Sequence, residues 1–303
     1  MALNTNIGPE RVQVFPTPTG VVQVPGASTS ICAFLISSSA VGAPENSPTR
    51  VTDMAEFEAS FGDADDILYD GYYAVKGFFD NGGTGKTAVI VNVGTSPTAN
   101  SFIGDASDGT GLRALDSQDD VGLLCAPGLP LSLAYLVQPA VIDYSETVRA
   151  EFGASMSTMF SLLGMPKEIT KANSRLSVVS ATLQAMTAIT GMVVSLTATD
   201  LSEVTPGMVV YKAATRIGTV TAVNDAGDTI TLTSVTGLVD GDSITIEIPS
   251  AVDYKELTIN NPSKVAAWYF NPVLVTALES TATPGELHVA DPVGHIAGIM
   301  GRI

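Results

Sequence analysis

The spacing of apolar residues changes character twice along this chain. Near the start, Val12, Val14, Val22 and Val24 alternate with polar residues, the period of an extended strand, and Pro16, Pro18 and Pro25 exclude a helix. Together with Val21, these valines make residues 1–25 read as an extended N-terminal arm. A lone alternating segment has unpaired backbone groups and seeks a sheet edge, in its own domain or in a neighbour's.

From Ser28 onward, short continuous apolar runs alternate with helical spacings. Ser28 to Ile36, Thr87 to Val93, Val121 to Ala126, Thr158 to Leu163 and Lys264 to Phe270 have the length and β-branched content of buried strands. Between them, Met54, Phe57 and Phe61 share a helix face behind Thr52 as N-cap. Asp66 to Phe79 reads as a second helix, stopped by Asn81-Gly82-Gly83, and Val137 to Gly153 as a third. Gly94 to Gly111, rich in Ser, Asp and Gly, reads as a surface loop. The last strand, with Trp268 and Tyr269, runs into a long loop and then a helix opened by Pro292. Strands alternating with helices predict an α/β core with a mostly parallel sheet and flanking helices.

Between about Ser174 and Leu257 the pattern changes again. Val209 to Tyr211, Ile217 to Val223, Thr229 to Thr233 and Ser243 to Ile248 are short strands rich in Val, Ile and Thr. Pro206-Gly207, Asn224 to Gly227 and Asp240-Gly241 separate them as turns. This predicts a small all-β domain, barrel or sandwich, inserted into the α/β core. The expected organisation is an arm over 1–25, a discontinuous core over 26–173 plus 258–303, and an insert over 174–257.

Composition narrows the partners. Charged residues make up 15% of the 303, against roughly 25% in an average soluble domain. Either partners cover much of the surface, or Ser and Thr hydroxyls keep it solvated. The net charge of −17 and 14 scattered cations argue against nucleic acid, because phosphate binding needs clustered Lys and Arg. The acidic surface predicts self-repulsion that salt relieves. Cys32 and Cys125 sit in apolar runs and read as reduced core residues. Leu176 to Thr199 carries no charge but is interrupted by hydroxyl residues, Gln184 and Gly191. It lacks the ~20 continuous apolar residues of a span, so no direct membrane insertion is expected. The first residues lack the basic and apolar regions of a signal peptide.

Candidate chemistry is sparse. Gly82-Gly83-Thr84-Gly85-Lys86-Thr87 imitates a phosphate-binding loop, but Asp80 stands where its first glycine belongs. The segment also joins a helix to a strand, the reverse of the order that aims a helix N-terminus at an anion. His288 and His295 have no Cys or carboxylate at metal-ligand spacing, and His295 reads as a structural residue at a helix start. The run Asp63-Ala64-Asp65-Asp66 lacks the glycine and distal glutamate of a calcium loop and reads as charge at a helix N-terminus; Asp116, Asp119 and Asp120 read the same way. No G-x-S-x-G or H-E-x-x-H pattern occurs. The expectation is a protein without catalytic, cofactor or metal residues.

Six segments, in order, resemble contractile tail sheath proteins of bacteriophages and related contractile injection systems. R-V-Q-V-F-P and V-V-Q-V-P-G-A-S-T-S-I-C-A-F-L, from residue 11, are similar to the family's Val-rich arm leading into V-x-T-S-x-x-A-F. P-T-R-V-T-D-M-A-E-F-E-A-S-F-G at 48–62 resembles V-T-S-x-x-E-F-x-x-x-F-G, and A-V-K-G-F-F-D-N-G-G at 74–83 resembles A-V-x-x-F-F-x-N-G-G. G-T-G-L-R-A-L at 109–115, D-V-G-L-L-C-A-P-G at 120–128 and the segment 263–302, with its P-x-G-H-x-A-G-x-x-x-R helix start, complete the series. The resemblance covers 11–173 and 258–302, not the β insert. Its motif residues here are Phe78, Phe79, Asn81, Gly82, Gly83, Pro127, Gly128, Trp268, Tyr269, His295, Gly298 and Arg302.

The resemblance implies a virion protein, assembled in the host cytoplasm, that polymerises around a tail tube and contracts to drive the tube through the host envelope. Its implied partners are further copies of itself, the tube protein, and baseplate and tail-terminator proteins. In the family, terminal arms add strands to a neighbour's sheet. The family also implies a further subdomain and a second arm past Ile303, in a longer chain or on another polypeptide. A rival reading is a phage decoration or adhesin-type protein that binds through the β insert.

Overall fold

The computed structural model describes residues 31–82, 85–151, 159–169, 175–184, 189–197, 199–258 and 263–301. The arm valines, Gly83 and Arg302 lie outside the described residues.

Five strands come from the first half of the chain: β1 (Ile31–Ile36), β2 (Thr49–Val51), β3 (Thr87–Asn92), β4 (Leu123–Cys125) and β5 (Phe160–Gly164). A second group comprises β6 (Leu176–Thr182), β7 (Ile189–Thr190), β8 (Val193–Ser195), β9 (Val209–Lys212), β10 (Thr215–Asn224), β11 (Thr229–Leu232) and β12 (Ser243–Ile248). β13 (Ala266–Tyr269), β14 (Val273–Thr276) and β15 (Leu287–Ala290) follow. The helices are α1 (Met54–Phe61), α2 (Gly71–Gly82), α3 (Ala99–Ile103), α4 (Leu131–Asp143), α5 (Arg149–Glu151), α6 (Ala251–Thr258) and α7 (Val293–Met300).

The first sheet has the order β13-β5-β4-β1-β3-β2 and is parallel except for β2, which runs antiparallel to β3. Its innermost strands, β1 and β4, are apolar at every position because both faces are covered. Cys32, Phe34, Ala88, Ile90 and Leu162 face one core, with Phe57, Phe61, Tyr73 and Phe78 of α1 and α2 and Val293 of α7. Ala33, Leu35, Val89, Val91 and Leu163 face the other, with Phe102 of α3 and Leu131, Val137 and Val141 of α4. The fold is thus α/β around a mixed sheet. Cys32 and Cys125, far apart in sequence, meet on neighbouring strands as free thiols with sulfurs 3.7 Å apart.

The second sheet is antiparallel, in the order β6-β12-β9-β10-β11-β8-β7. β10 pairs with β9 through its first half and with β11 through its second, and the register slips within each pairing. Such bulges bend a strand, and at one of them Gly218 lies so close to Ser234 that a Cβ would stand 2.7 Å from its carbonyl oxygen. Beyond β6 and β8, the Gln184 amide donates to Ser195 and Thr197 to Thr182, tying those two strand ends together. This sheet and α6 are spliced between β5 and β13, which are adjacent and parallel in the first sheet. Its inner residues Val210, Val220, Ile230 and Ile246 are continuous with the α4 side of the core. No helix among the described residues is long and apolar enough to cross a membrane.

Several local expectations change. The α1 cap is Asp53, whose carboxylate accepts from the Glu56 amide, not Thr52. The helix expected from Asp66 begins at Gly71, because the backbone of 66–68 pairs instead with Ser37 and Ser39. Asp63 and Asp66 therefore close a turn before the helix and do not charge its N-terminus. Asp116 instead accepts from Tyr144 and pairs with Arg113, while Asp120 pairs with Arg50. The third helix starts at Leu131 and passes through Pro139 into a π turn at Tyr144–Val148. The loop after Gly94 contains α3, capped reciprocally by Thr98 and Ser101. β13 is an edge strand, half-buried. The long loop after it is a hairpin, β14 paired antiparallel with β15.

Candidate functional site

Two of the sequence motifs meet in one seam. α2 and α7 approach so closely that glycines stand where their faces meet. A Cβ on Gly298 would stand 2.6 Å from the Phe78 carbonyl oxygen, and one on Gly77 would strike the His295 ring. Gly294 lies equally close to the Ala74 carbonyl. Glycine is the residue that permits such backbone approach. Phe78 is fully buried, edge-on to Phe34 at 5.6 Å and to the half-buried Phe79 at 5.3 Å. Asn81 donates to the Gly77 carbonyl, tightening the last turn of α2, which ends at Gly82. Lys86 donates to the Gly301 carbonyl at the far end of α7, so the lysine of the imitation phosphate loop caps a helix C-terminus. Burial pushes the His295 imidazole below its ordinary value.

Pro127, Gly128, Trp268 and Tyr269 gather elsewhere, at the carboxyl ends of β4 and β13. Gly128 adopts φ +63°, and a Cβ there would stand 2.6 Å from the Asp70 amide. The Trp268 indole and the Tyr254 hydroxyl of α6 both donate to Gln138, whose own amide donates to Gly164. That buried amide of α4 joins the return of the second sheet to the edge of the first. Tyr269 lines a cavity of about 570 Å³ with Met165, Phe270, Pro272 and Val289, floored by Asp70 and Asp291.

The sequence reading missed the charged network beneath that cavity. Asp70 is fully buried at the start of α2. One of its oxygens accepts from Lys167 (2.7 Å) and contacts His288 Nε2 (3.0 Å); the other accepts from the Asp291 amide (2.9 Å). Asp291 accepts from the amides of Gly128 and Val293. Burial pushes its carboxyl up to about 6, against those two amide bonds. Each oxygen of this carboxylate pair accepts a hydrogen bond, and three of the four join separate segments. Among the described residues, no group of His, Cys, Asp and Glu is placed to hold a metal ion.

The sequence reading also missed the hairpin. Val273, Val275, His288 and Ala290 face inward, while Leu274, Thr276, Leu287 and Val289 share the outer face. Leu274 is 66% exposed, Leu287 58% and Val289 46%. Among the described residues, neither strand has a partner on its outer edge.

No protein-family model and no curated protein matches this chain. Among solved structures, it is similar to a chain of the helical sheath of the anti-feeding prophage in its contracted state, with a TM-score of 0.41 and 13% identity over 99% of this chain and 53% of that one. It is also similar to a chain of the anti-feeding prophage baseplate, with a TM-score of 0.33 and 13% identity over 54% of this chain and 42% of that one. The chain spans about half the length of the sheath chain.

A signal for the missed features was present. Val273 to Thr276 and Leu287 to Ala290 are equal short runs flanking Thr283-Pro284-Gly285, the pattern of two strands and a turn. The burial of Asp70 had no such signal, since its partners come from residues 167, 288 and 291.

Proposed function

We propose that this chain is a structural subunit of a contractile tail sheath, of a bacteriophage or a related contractile injection system. Its copies polymerise as helical rings around a tail tube, joined to baseplate and tail-terminator proteins, and repack on contraction to drive the tube through a host envelope. It works by assembly, with no bond-making chemistry, and ends in the virion after assembly in the host cytoplasm. The second sheet forms the outward-facing insert.

The observation that carries the reading is the hairpin. Two strands alone are marginal in water, and this pair presents Leu274, Leu287 and Val289 to solvent. Bare edges beside an apolar face are what an added strand completes, the backbone giving affinity and alternate side chains giving register. The alternating valines of the arm, Val12, Val14, Val21, Val22 and Val24, supply such a strand from a neighbouring copy. Further support is the order of the sheath-like motifs, two of which, 74–83 and 291–302, contribute the packed faces of α2 and α7. On contraction each core turns as a rigid body while the arm keeps the connection.

Deleting residues 1–25 tests this. The shortened chain is expected to keep the circular dichroism and unfolding midpoint of the core and to form no polymer, whereas the full chain forms rings or tubes. Long tubes from the deletion variant would refute strand exchange through the arm, and uniform single particles from the full chain would favour the decoration or adhesin reading.

A further inference from the structure

We propose that buried Asp70 anchors a polar latch that fixes the pose of the β14–β15 hairpin, and that a neighbouring copy is received only while the latch is closed; the second half rests on the sheath reading above. The hairpin's apolar attachment is slight. Val273 and Val275 are partly exposed, and Ala290 is the fully buried member of its inner face. The remaining ties are polar and come from three separate parts of the core.

At the base of the hairpin, Asp70 receives the Asp291 amide and His288 Nε2, and Lys167 reaches the same carboxylate from the segment after β5. Midway, the Tyr73 ring of α2 lies parallel to the His288 ring with centroids 4.1 Å apart. The Tyr73 hydroxyl donates to Glu279 at 2.7 Å and accepts from the Leu278 amide at 2.8 Å. His288 Nδ1 stands 3.4 Å from the other oxygen of Glu279. At the tip, the Ser280 amide donates to Asp65, ahead of α2, at 2.9 Å. His288 is therefore held between Glu279 on its own hairpin and Asp70 on the core. The groups facing it are Asp70, Tyr73, Lys167, Glu279 and Asp291.

The electrostatics agree with a buried, hydrogen-bonded cluster. Burial and donation to Glu279 push the Tyr73 hydroxyl up to about 12. Burial works against Glu279, yet the Tyr73 hydroxyl and nearby amides hold its carboxyl below the usual range. Hydrogen bonds to ionised groups of this kind are the stronger class. Because the inward side chains alternate with Leu274, Leu287 and Val289, tilting the hairpin moves the outer apolar face with it.

The test is amide hydrogen exchange, followed by mass spectrometry, on the full chain under conditions that keep subunits apart. Tyr73→Phe combined with Glu279→Gln leaves the stacked ring and removes the hydroxyl and the charge; Asp70→Asn removes the anchor. Exchange across 273–289 is expected to quicken on the order of tenfold, as loss of hydrogen bonds to charged groups implies, while amides of β1, β3 and α2 keep their wild-type rates. A purely structural role would instead quicken exchange everywhere. Should Asp70→Asn fail to fold, the Tyr73 and Glu279 variant decides. Unchanged exchange over 273–289 in that folded variant would overturn the latch. Assembly is read separately: a loosened hairpin with undiminished assembly would overturn the link to reception, and a wild-type chain that never assembles would strike the sheath reading while leaving the exchange result standing.

Discussion

The α2–α7 seam and the β14–β15 hairpin, which leads directly into α7, solve opposite problems. The seam is built from what is absent: Gly77, Gly294 and Gly298 let two helix backbones touch, and a side chain on any of them would meet backbone or ring. The hairpin carries apolar side chains on both faces, one set inward and one bare. Close packing leaves the seam one arrangement, since interiors tolerate little change in volume. Polar ties hold the hairpin with little apolar attachment, and its outer face is largely exposed among the described residues. In the proposed assembly, the difference separates a part that stays rigid from a part that receives a neighbour.

The comparison breaks first at the seam. Gly294→Leu forces a side chain into the Ala74 carbonyl and should cost about 3 kcal/mol or more, read as a lower denaturant midpoint; a variant within experimental error of wild type would mean the helices can part. Next in size is Gln138→Ala, which removes the acceptor of the Trp268 indole and the Tyr254 hydroxyl and the donor to the Gly164 carbonyl. Losing these three hydrogen bonds should cost roughly 2 kcal/mol, measurable by urea unfolding.

A smaller effect concerns the floor between seam and hairpin. Asp291 titrates at about 6 in the fold, raised from 3.8 by burial. The folded state therefore holds its proton more tightly, so this contribution to stability is complete below 3.8 and is lost as pH rises through about 6. Relative to Asp291→Asn, the wild type should lose roughly 1 kcal/mol between pH 5 and pH 7. The smallest effect on stability belongs to the outer face. Leu274→Asp with Leu287→Asp should leave the unfolding free energy within about 0.5 kcal/mol, as exposed substitutions do, while removing assembly altogether.

Legibility in the sequence followed the same division. The parallel strands could be read because burial on both faces demands unbroken apolar runs, as in Ile31 to Ile36 and Ala88 to Val91. The residues of the seam stood out through Gly82, His295 and Gly298, although their juxtaposition across 200 residues did not. β2 escaped notice because three residues, one exposed, carry no period. The helix expected from Asp66 failed because tertiary pairing with Ser37 and Ser39 outweighed local propensity. His288 carries no signal in the sequence because its partners, Asp70 and Glu279, lie at no motif spacing. The hairpin reads as a loop in the sequence, since alternation over four residues is short and both of its faces carry apolar residues.

Electron microscopy of the purified full chain beside the Leu274→Asp, Leu287→Asp variant tests the central claim most directly. The account predicts rings or tubes from the wild type and dispersed, folded single subunits from the variant. Tubes of equal length from both proteins would contradict it.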